Sequence, residues 1–211
     1  EIVGLIGPNG SGKTTLLNAV SGAVPPTAGA IYVDGVSVAG LASFRIARRG
    51  LGRSFQNIRL FKSLSVIENI EVAVTASGRM VRDTRREAMT ALAELGLEAL
   101  ADRQAGALAY GEQRRVEIAR ALALNPRYLM LDEPAAGMNS AETIGLIALL
   151  RQIRDKHGLG LLLVEHHLDL VMELCDRIVV LNKGQVIAAG TPSEVRNDPA
   201  VIEAYIGVRS K

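Results

Sequence analysis

Short apolar runs recur along the chain at residues 2–6, 30–33, 127–131, 159–164 and 177–181, each bounded by turn-forming residues and separated by longer stretches of helical period. That alternation predicts an α/β fold, a largely parallel sheet with helices on its faces. Directly behind the first run, Lys13 to Val20 is helix-permissive. Asn139, Ser140 and Glu142 predict the start of another helix, with Leu146, Leu150 and Ile153 as its apolar stripe and Gly158 as its stop. His157 then stands at the negative end of that helix, where an imidazole is a favourable dipole partner. Residues 57–110 read differently. Segments 66–75 and 82–95 have helical pattern, a Gly-containing stretch follows, and no strand is convincing. We therefore expect a helical lobe, 57–110, inserted in a core made of 1–56 and 111–211. The tail carries hairpin punctuation at Asn182-Lys183-Gly184, a turn at Gly190-Thr191-Pro192 and a last amphipathic segment ending at Ile206-Gly207.

Composition narrows the partners. A chain of 211 residues with 48% hydrophobic content suffices for one α/β domain with an inserted lobe. Aromatic residues are only 3%, so the core is aliphatic and lacks the platforms on which single-stranded nucleic acid stacks. With a net charge of +2 and no long basic run, nucleic acid is not an expected partner. Arg79, Arg82, Arg85 and Arg86 read as a solvated helix face, contact with lipid headgroups being the alternative. The single Cys175 excludes an intrachain disulfide and reads as a small buried hydrophobe. No apolar run approaches the ~18 residues that cross a bilayer, and no signal peptide is visible, so service to a membrane would come from outside it. Glu1 lies already inside an apolar run and is not methionine, from which a missing natural N-terminus is expected.

Residues 7–14, Gly-Pro-Asn-Gly-Ser-Gly-Lys-Thr, match the phosphate-binding pattern G-x-x-x-x-G-K-S/T, with an apolar run before and a helix after. Gly7, Gly10 and Gly12 permit turns that aim successive N–H groups inward as an anion nest, around which Pro8, Asn9 and Ser11 complete the loop. The following helix adds its positive end, Lys13 reaches β and γ phosphates, Thr14 offers a hydroxyl to Mg²⁺, and Thr15 follows in the first turn. These residues predict binding of a nucleoside triphosphate. Asp132 and Glu133 end the apolar run 127–131, placing two carboxylates at the C-terminal edge of a buried strand. Asp132 is expected to hold Mg²⁺ through water, and Glu133 to orient or deprotonate an attacking water.

Leu108-Ala109-Tyr110-Gly111-Glu112-Gln113-Arg114-Arg115, leading into a helix over 116–124, resembles the signature of the ATP-binding subunits of ABC transporters. Gln56 in Ser-Phe-Gln-Asn resembles their Q-loop glutamine, and His166 in Leu-Val-Glu-His their switch histidine; His167 reads as a surface helix residue. The resemblance covers nearly the whole chain. It implies a P-loop NTPase of the ABC ATPase type, with a RecA-like core and an inserted helical signature subdomain. It implies ATP and Mg²⁺ as cofactors, Glu133, His166 and Gln56 as catalytic residues, and Thr14, Gln56 and Asp132 around the metal. It further implies that Ala109, Tyr110, Gly111 and Glu112 serve the ATP of a second subunit, a copy or a paralogue, in a head-to-tail pair driven by the shared γ-phosphate.

Departures from the general pattern mark a subfamily. Ala109 replaces the signature serine, Tyr110 its first glycine and Glu112 its glutamine, while the D-loop reads Ala136-Gly137-Met138-Asn139, where Asn139 suits a helix cap. Together with Phe-Gln-Asn-Ile-Arg-Leu-Phe, Glu-His-His-Leu-Asp-Leu-Val-Met and Ile-Glu-Ala-Tyr-Ile-Gly, these resemble the branched-chain amino acid uptake ATPases. The resemblance then implies transmembrane permease subunits, a solute-binding protein acting indirectly, and a peripheral place on the cytoplasmic face of the inner membrane. Lipopolysaccharide export and urea or amide uptake are the neighbouring alternatives. A DNA-repair or chromosome ATPase would need inserted coiled coils or zinc modules, and neither is visible. A non-hydrolysing ATP switch is the remaining alternative, against which Glu133 and His166 stand. In the family an upstream aromatic stacks on adenine, and nothing before Glu1 supplies one, so poor discrimination between ATP and GTP is expected.

Overall fold

The computed structural model describes residues 1–206; Gly207, the last residue of the closing motif, lies outside them. The chain runs β1 (Ile2–Ile6), α1 (Lys13–Val20), β2 (Tyr32–Val33), β3 (Val36–Ser37), α2 (Ser43–Arg48), β4 (Leu51–Arg53), α3 (Val66–Ala76) and α4 (Thr84–Ala93). After 3₁₀ turns at Glu98–Leu100 and Ala105–Ala107 it continues with α5 (Tyr110–Leu122), β5 (Tyr128–Asp132), α6 (Ser140–His157), β6 (Gly160–Val164) and α7 (Leu168–Leu174). It closes with β7 (Arg177–Asn182), β8 (Gln185–Gly190), α8 (Pro192–Asn197) and α9 (Pro199–Ile206). The main sheet has the order β4-β5-β6-β1-β7-β8, parallel except for β8, which pairs antiparallel with β7 through the Lys183-Gly184 turn. β1 is thus central, in register with Leu161 to Val164 on one side and Arg177 to Val180 on the other.

Alternate residues of the strands feed two cores, as the period of a strand requires. Ile2, Ile6, Leu129, Leu131, Leu161, Leu163, Ile178 and Val180 face the larger one, shared with α3, α5, α6 and α7. Leu5, Met130, Val164 and Leu181 face the smaller one with Leu17 of α1 and Ile46 of α2. Cys175 is buried in the larger core beside Gly4, where a β-carbon would stand 2.9 Å from its Sγ, and burial pushes its thiol up to about 12.

The expected parallel strand at 30–33 does not join this sheet. Tyr32–Val33 pairs antiparallel with Val36–Ser37 in a separate ribbon. The reason is the turn: Asp34 and Gly35 both have positive φ, 49° and 74°, which closes a two-residue hairpin rather than a crossover. The chain has a further edge strand, β4, and a short helix, α2, that hydrophobic pattern alone does not predict. β4 is three residues long, and Gly52 lies so close to Pro126 and Leu129 that a β-carbon would stand 3.1 Å from the Leu129 side chain. α5 begins at Tyr110, well before the expected 116, because the Glu112 carboxylate accepts from the Ala109 N–H at 2.9 Å and caps the turn. Between 57 and 110 lie α3, α4, the 3₁₀ turns and one isolated bridge, Ser65 to Gln104. α3 opens on a reciprocal Ser65–Glu68 capping box and packs Val66, Ile67 and Ile70 into the larger core.

Candidate active site

The loop between β1 and α1 leaves the centre of the sheet. Gly7, Gly10 and Gly12 all have positive φ, at 151°, 77° and 104°. At Gly7 the requirement is also steric, since a side chain would run into the carbonyl oxygen of Leu181 on β7. Lys13 is buried, and its Nζ donates to the carbonyls of Gly7 at 2.7 Å and Pro8 at 3.1 Å. The ammonium is therefore fixed beneath the loop as a point charge. Burial lowers its pKa below the usual lysine value, and the carboxylates of Glu133 and Asp132 oppose that shift. Thr14 and Thr15 are exposed in the first turn of α1, and Asn9 and Gly10 are exposed at the loop tip.

The C-terminal edge of β5 supplies the carboxylates. Asp132 is buried, and Arg53 on β4 reaches its Oδ2 at 3.5 Å while also donating to Asn18 on α1 at 2.8 Å and to Ser21, the residue that ends α1, at 2.7 Å. Burial raises the pKa of Asp132, with Arg53 as the main opposing charge. Glu133 takes a left-handed conformation, φ 49°, held by its N–H on the Val164 carbonyl at 2.8 Å. There its Oε2 accepts from Gln56 Nε2 at 2.8 Å and its Oε1 lies 3.8 Å from His166 Nδ1. Gln56, Glu133 and His166, from three separate loops, are thus brought together. His167 is exposed at the N-cap of α7.

Among the described residues, no group of three or more His, Cys, Asp or Glu side chains could hold a metal ion by itself. Mg²⁺ does not need one, since it keeps waters and phosphate oxygens in its shell. The exposed Thr14 hydroxyl, the buried Asp132 and the Gln56 side chain fit a cation of that kind, close to an anion nest.

Ala109 is the N-cap of α5, and Tyr110, Gly111 and Glu112 form its first turn. Their neighbour Arg114 is fully buried and donates to the carbonyls of Phe55 at 2.6 Å and Gln56 at 2.7 Å, to Glu117 at 2.8 Å and to the Tyr110 hydroxyl at 3.0 Å. Glu117, also buried, accepts from the N–H groups of Phe55 and Arg59, both at 3.4 Å, and burial raises its pKa. Glu165 is fully buried and accepts from Ala135 N–H at 3.0 Å and His166 N–H at 3.1 Å, tying the histidine loop to the turn after Glu133. Sequence reasoning passed over Arg53, Arg114, Glu117 and Glu165. One trace was readable, the i,i+3 opposite charges of Arg114 and Glu117 beside apolar Val116 and Ile118. Of the arginines read as a solvated face, Arg79 pairs with Glu87 at 2.9 Å and Arg85 with Asp102 at 3.1 Å.

Comparison with known proteins gives the family. The ABC transporter family profile matches residues 1–136, and a profile described as branched-chain amino acid ATP-binding cassette transporter matches 185–210. The high-affinity branched-chain amino acid transport ATP-binding proteins BraF of Pseudomonas aeruginosa and LivG of Escherichia coli are each 46% identical over 222 residues, covering 98% of this chain and 87% of the relative. The lipopolysaccharide export system ATP-binding protein LptB of Escherichia coli is 39% identical over 98% of this chain and 86% of its own length. Among solved structures, the ADP conformation of MJ1267, an ATP-binding cassette of an ABC transporter, superposes with a TM-score of 0.88 at 31% identity, covering 98% of this chain and 88% of that one. A dimeric post-hydrolysis state of the cassette MJ0796 with ADP and Pi gives 0.82 at 29% identity, over 91% and 85%.

Proposed function

Since this chain belongs to the ABC transporter ATP-binding family, an ATPase family, we propose that it is the motor subunit of an importer for branched-chain amino acids, with Glu133 as the residue that activates water. The observation that carries the catalytic reading is the Glu133 carboxylate, held between Gln56 Nε2 at 2.8 Å and His166 Nδ1 at 3.8 Å at the end of β5. In this reading backbone N–H groups of Asn9, Gly10, Gly12 and Lys13 and the Lys13 ammonium bind the ATP phosphates, and Thr14, Asp132 and Gln56 would hold Mg²⁺. When bound, Mg²⁺ neutralises charge on the phosphates. Glu133 orients the attacking water, and His166 steadies the charge that develops on the γ-phosphate side. Ala109 to Glu112 complete the site of a second ATP-binding chain. The partners are that chain, permease subunits in the inner membrane and, through them, a solute-binding protein.

The solute assignment rests on the 46% identity to BraF and LivG and on the match of residues 185–210. In keeping with a peripheral subunit, no helix among the described residues is long and apolar enough to cross a membrane. Two measurements test the proposal. Glu133→Gln in the purified ATPase pair is expected to lower phosphate release by about 10² or more while an ATP-bound pair accumulates on size exclusion; undiminished release overturns the role of Glu133. Leucine uptake by cells dependent on this transporter is expected to fail with the same variant, and normal leucine uptake overturns the solute.

A further inference from the structure

Tyr110 stands where the signature pattern has its first glycine, and its side chain makes contacts within its own chain. The residue is 45% exposed, yet its ring and hydroxyl are each anchored. On one side it lies against Gly137, whose φ is +77° and where a β-carbon would stand 3.2 Å from the ring. On the other its hydroxyl accepts from Arg114 Nη2 at 3.0 Å, and the guanidinium sits 5.7 Å from the ring centroid.

Both anchors lead to the same place. Arg114 holds the backbone of the glutamine loop by the carbonyls of Phe55 and Gln56, while Glu117 takes the N–H groups of Phe55 and Arg59. The Gln56 side chain then meets Glu133 at 2.8 Å. Gly137 belongs to the turn that starts at Glu133, braced by Ala136 N–H on the Glu133 carbonyl at 3.1 Å and Ala135 N–H on Glu165 at 3.0 Å. The contacts close a circuit from Tyr110 through Arg114 and Gln56 to Glu133, and back through the turn to Gly137. A glycine in place of Tyr110 could make neither anchor.

We propose that Tyr110 and Arg114 are positioning residues that couple the signature turn to the same chain's own Gln56 and Glu133. Resting on the composite-site reading above, the relay gives each chain two tasks at one turn. The turn meets the nucleotide of the partner chain, and through Arg114 it sets the geometry around the nucleotide in its own phosphate loop. Displacement of the Tyr110 hydroxyl draws on Arg114 and hence on both Q-loop carbonyls, because the guanidinium is planar and its donors move as one body.

The test separates the two tasks by making the pair asymmetric. The second ATPase chain, copy or paralogue, is disabled by Glu→Gln at its residue equivalent to Glu133, so that turnover comes only from the first chain's own loop, completed by an unaltered signature. Tyr110→Phe in the first chain then removes only the hydroxyl on the relay side. We expect kcat to fall at least threefold against the control pair, with KM for ATP within twofold and the melting temperature unchanged. Arg114→Lys, which keeps the charge but loses the forked donors, is expected to lower kcat similarly, and the double variant to cost no more than the larger single effect. An unchanged kcat, or a raised KM with kcat intact, overturns the relay. A failure of the composite-site reading shows separately, as first-chain turnover that stays intact when the second chain's residue equivalent to Gly111 is replaced by a bulky one.

Discussion

Lys13 shows how single residues divide the work of binding. Its ammonium is buried and held by two carbonyls of its own loop, so it meets a polyanion without first losing much side-chain freedom. A charge-assisted hydrogen bond contributes about 1.5–3 kcal/mol. Lys13→Met is therefore expected to weaken ATP binding by roughly 10- to 100-fold, measured by calorimetry with the unaltered chain as reference. The loop was legible because its residues are consecutive and each has a reason local to the backbone. Arg114 and Glu165 were not, because their partners are remote: Phe55 lies 59 positions from Arg114, and Ala135 lies 30 from Glu165. Nothing in a run of residues near a charged side chain says which distant carbonyl it will meet.

At the scale of elements, legibility followed the strength of end signals. α6 starts where Asn139 predicted, with the Asn139 side chain accepting from Glu142 N–H at 3.0 Å and Glu142 returning to the Asn139 N–H at 2.8 Å, and it stops at Gly158 with φ 63°. Asn139→Ala is expected to cost about 1 kcal/mol in urea unfolding, the usual loss of a capping side chain. β5, β6 and β7 were readable as buried apolar runs between turns. β4 escaped because three residues that include a glycine carry no period, and its place in the sheet depends on Pro126 and Leu129 accepting the close approach of Gly52. Residues 30–33 were apolar enough for the sheet, but their partner was decided by the turn that follows them, a two-residue hairpin that leaves no room for a crossover.

Across the whole molecule, the segment 57–110 and the rest of the chain are joined by more than the shared core. Glu94, just after α4, meets Lys156 at 2.9 Å and His157 at 2.7 Å at the C-terminal end of α6. Burial alone would raise the Glu94 pKa, but the bonds from Lys156 and His157 outweigh it and hold the carboxyl below its ordinary 4.5. A carboxyl lowered on folding stabilises the native state above its unfolded pKa, and that contribution is lost as pH falls through the folded value. Glu94→Gln is accordingly expected to lower stability by about 0.5–1 kcal/mol at neutral pH, with the difference shrinking in denaturant titrations as pH falls below 4.5. The order of the main sheet has a consequence of another kind. The phosphate loop springs from β1, the strand flanked on both edges by β6 and β7, and its first glycine lies against the backbone of β7. Because the loop is anchored on two central strands, bound nucleotide is expected to slow backbone amide exchange across the sheet and to raise the melting temperature. In such an arrangement, occupancy at one small loop is registered as the durability of the entire fold.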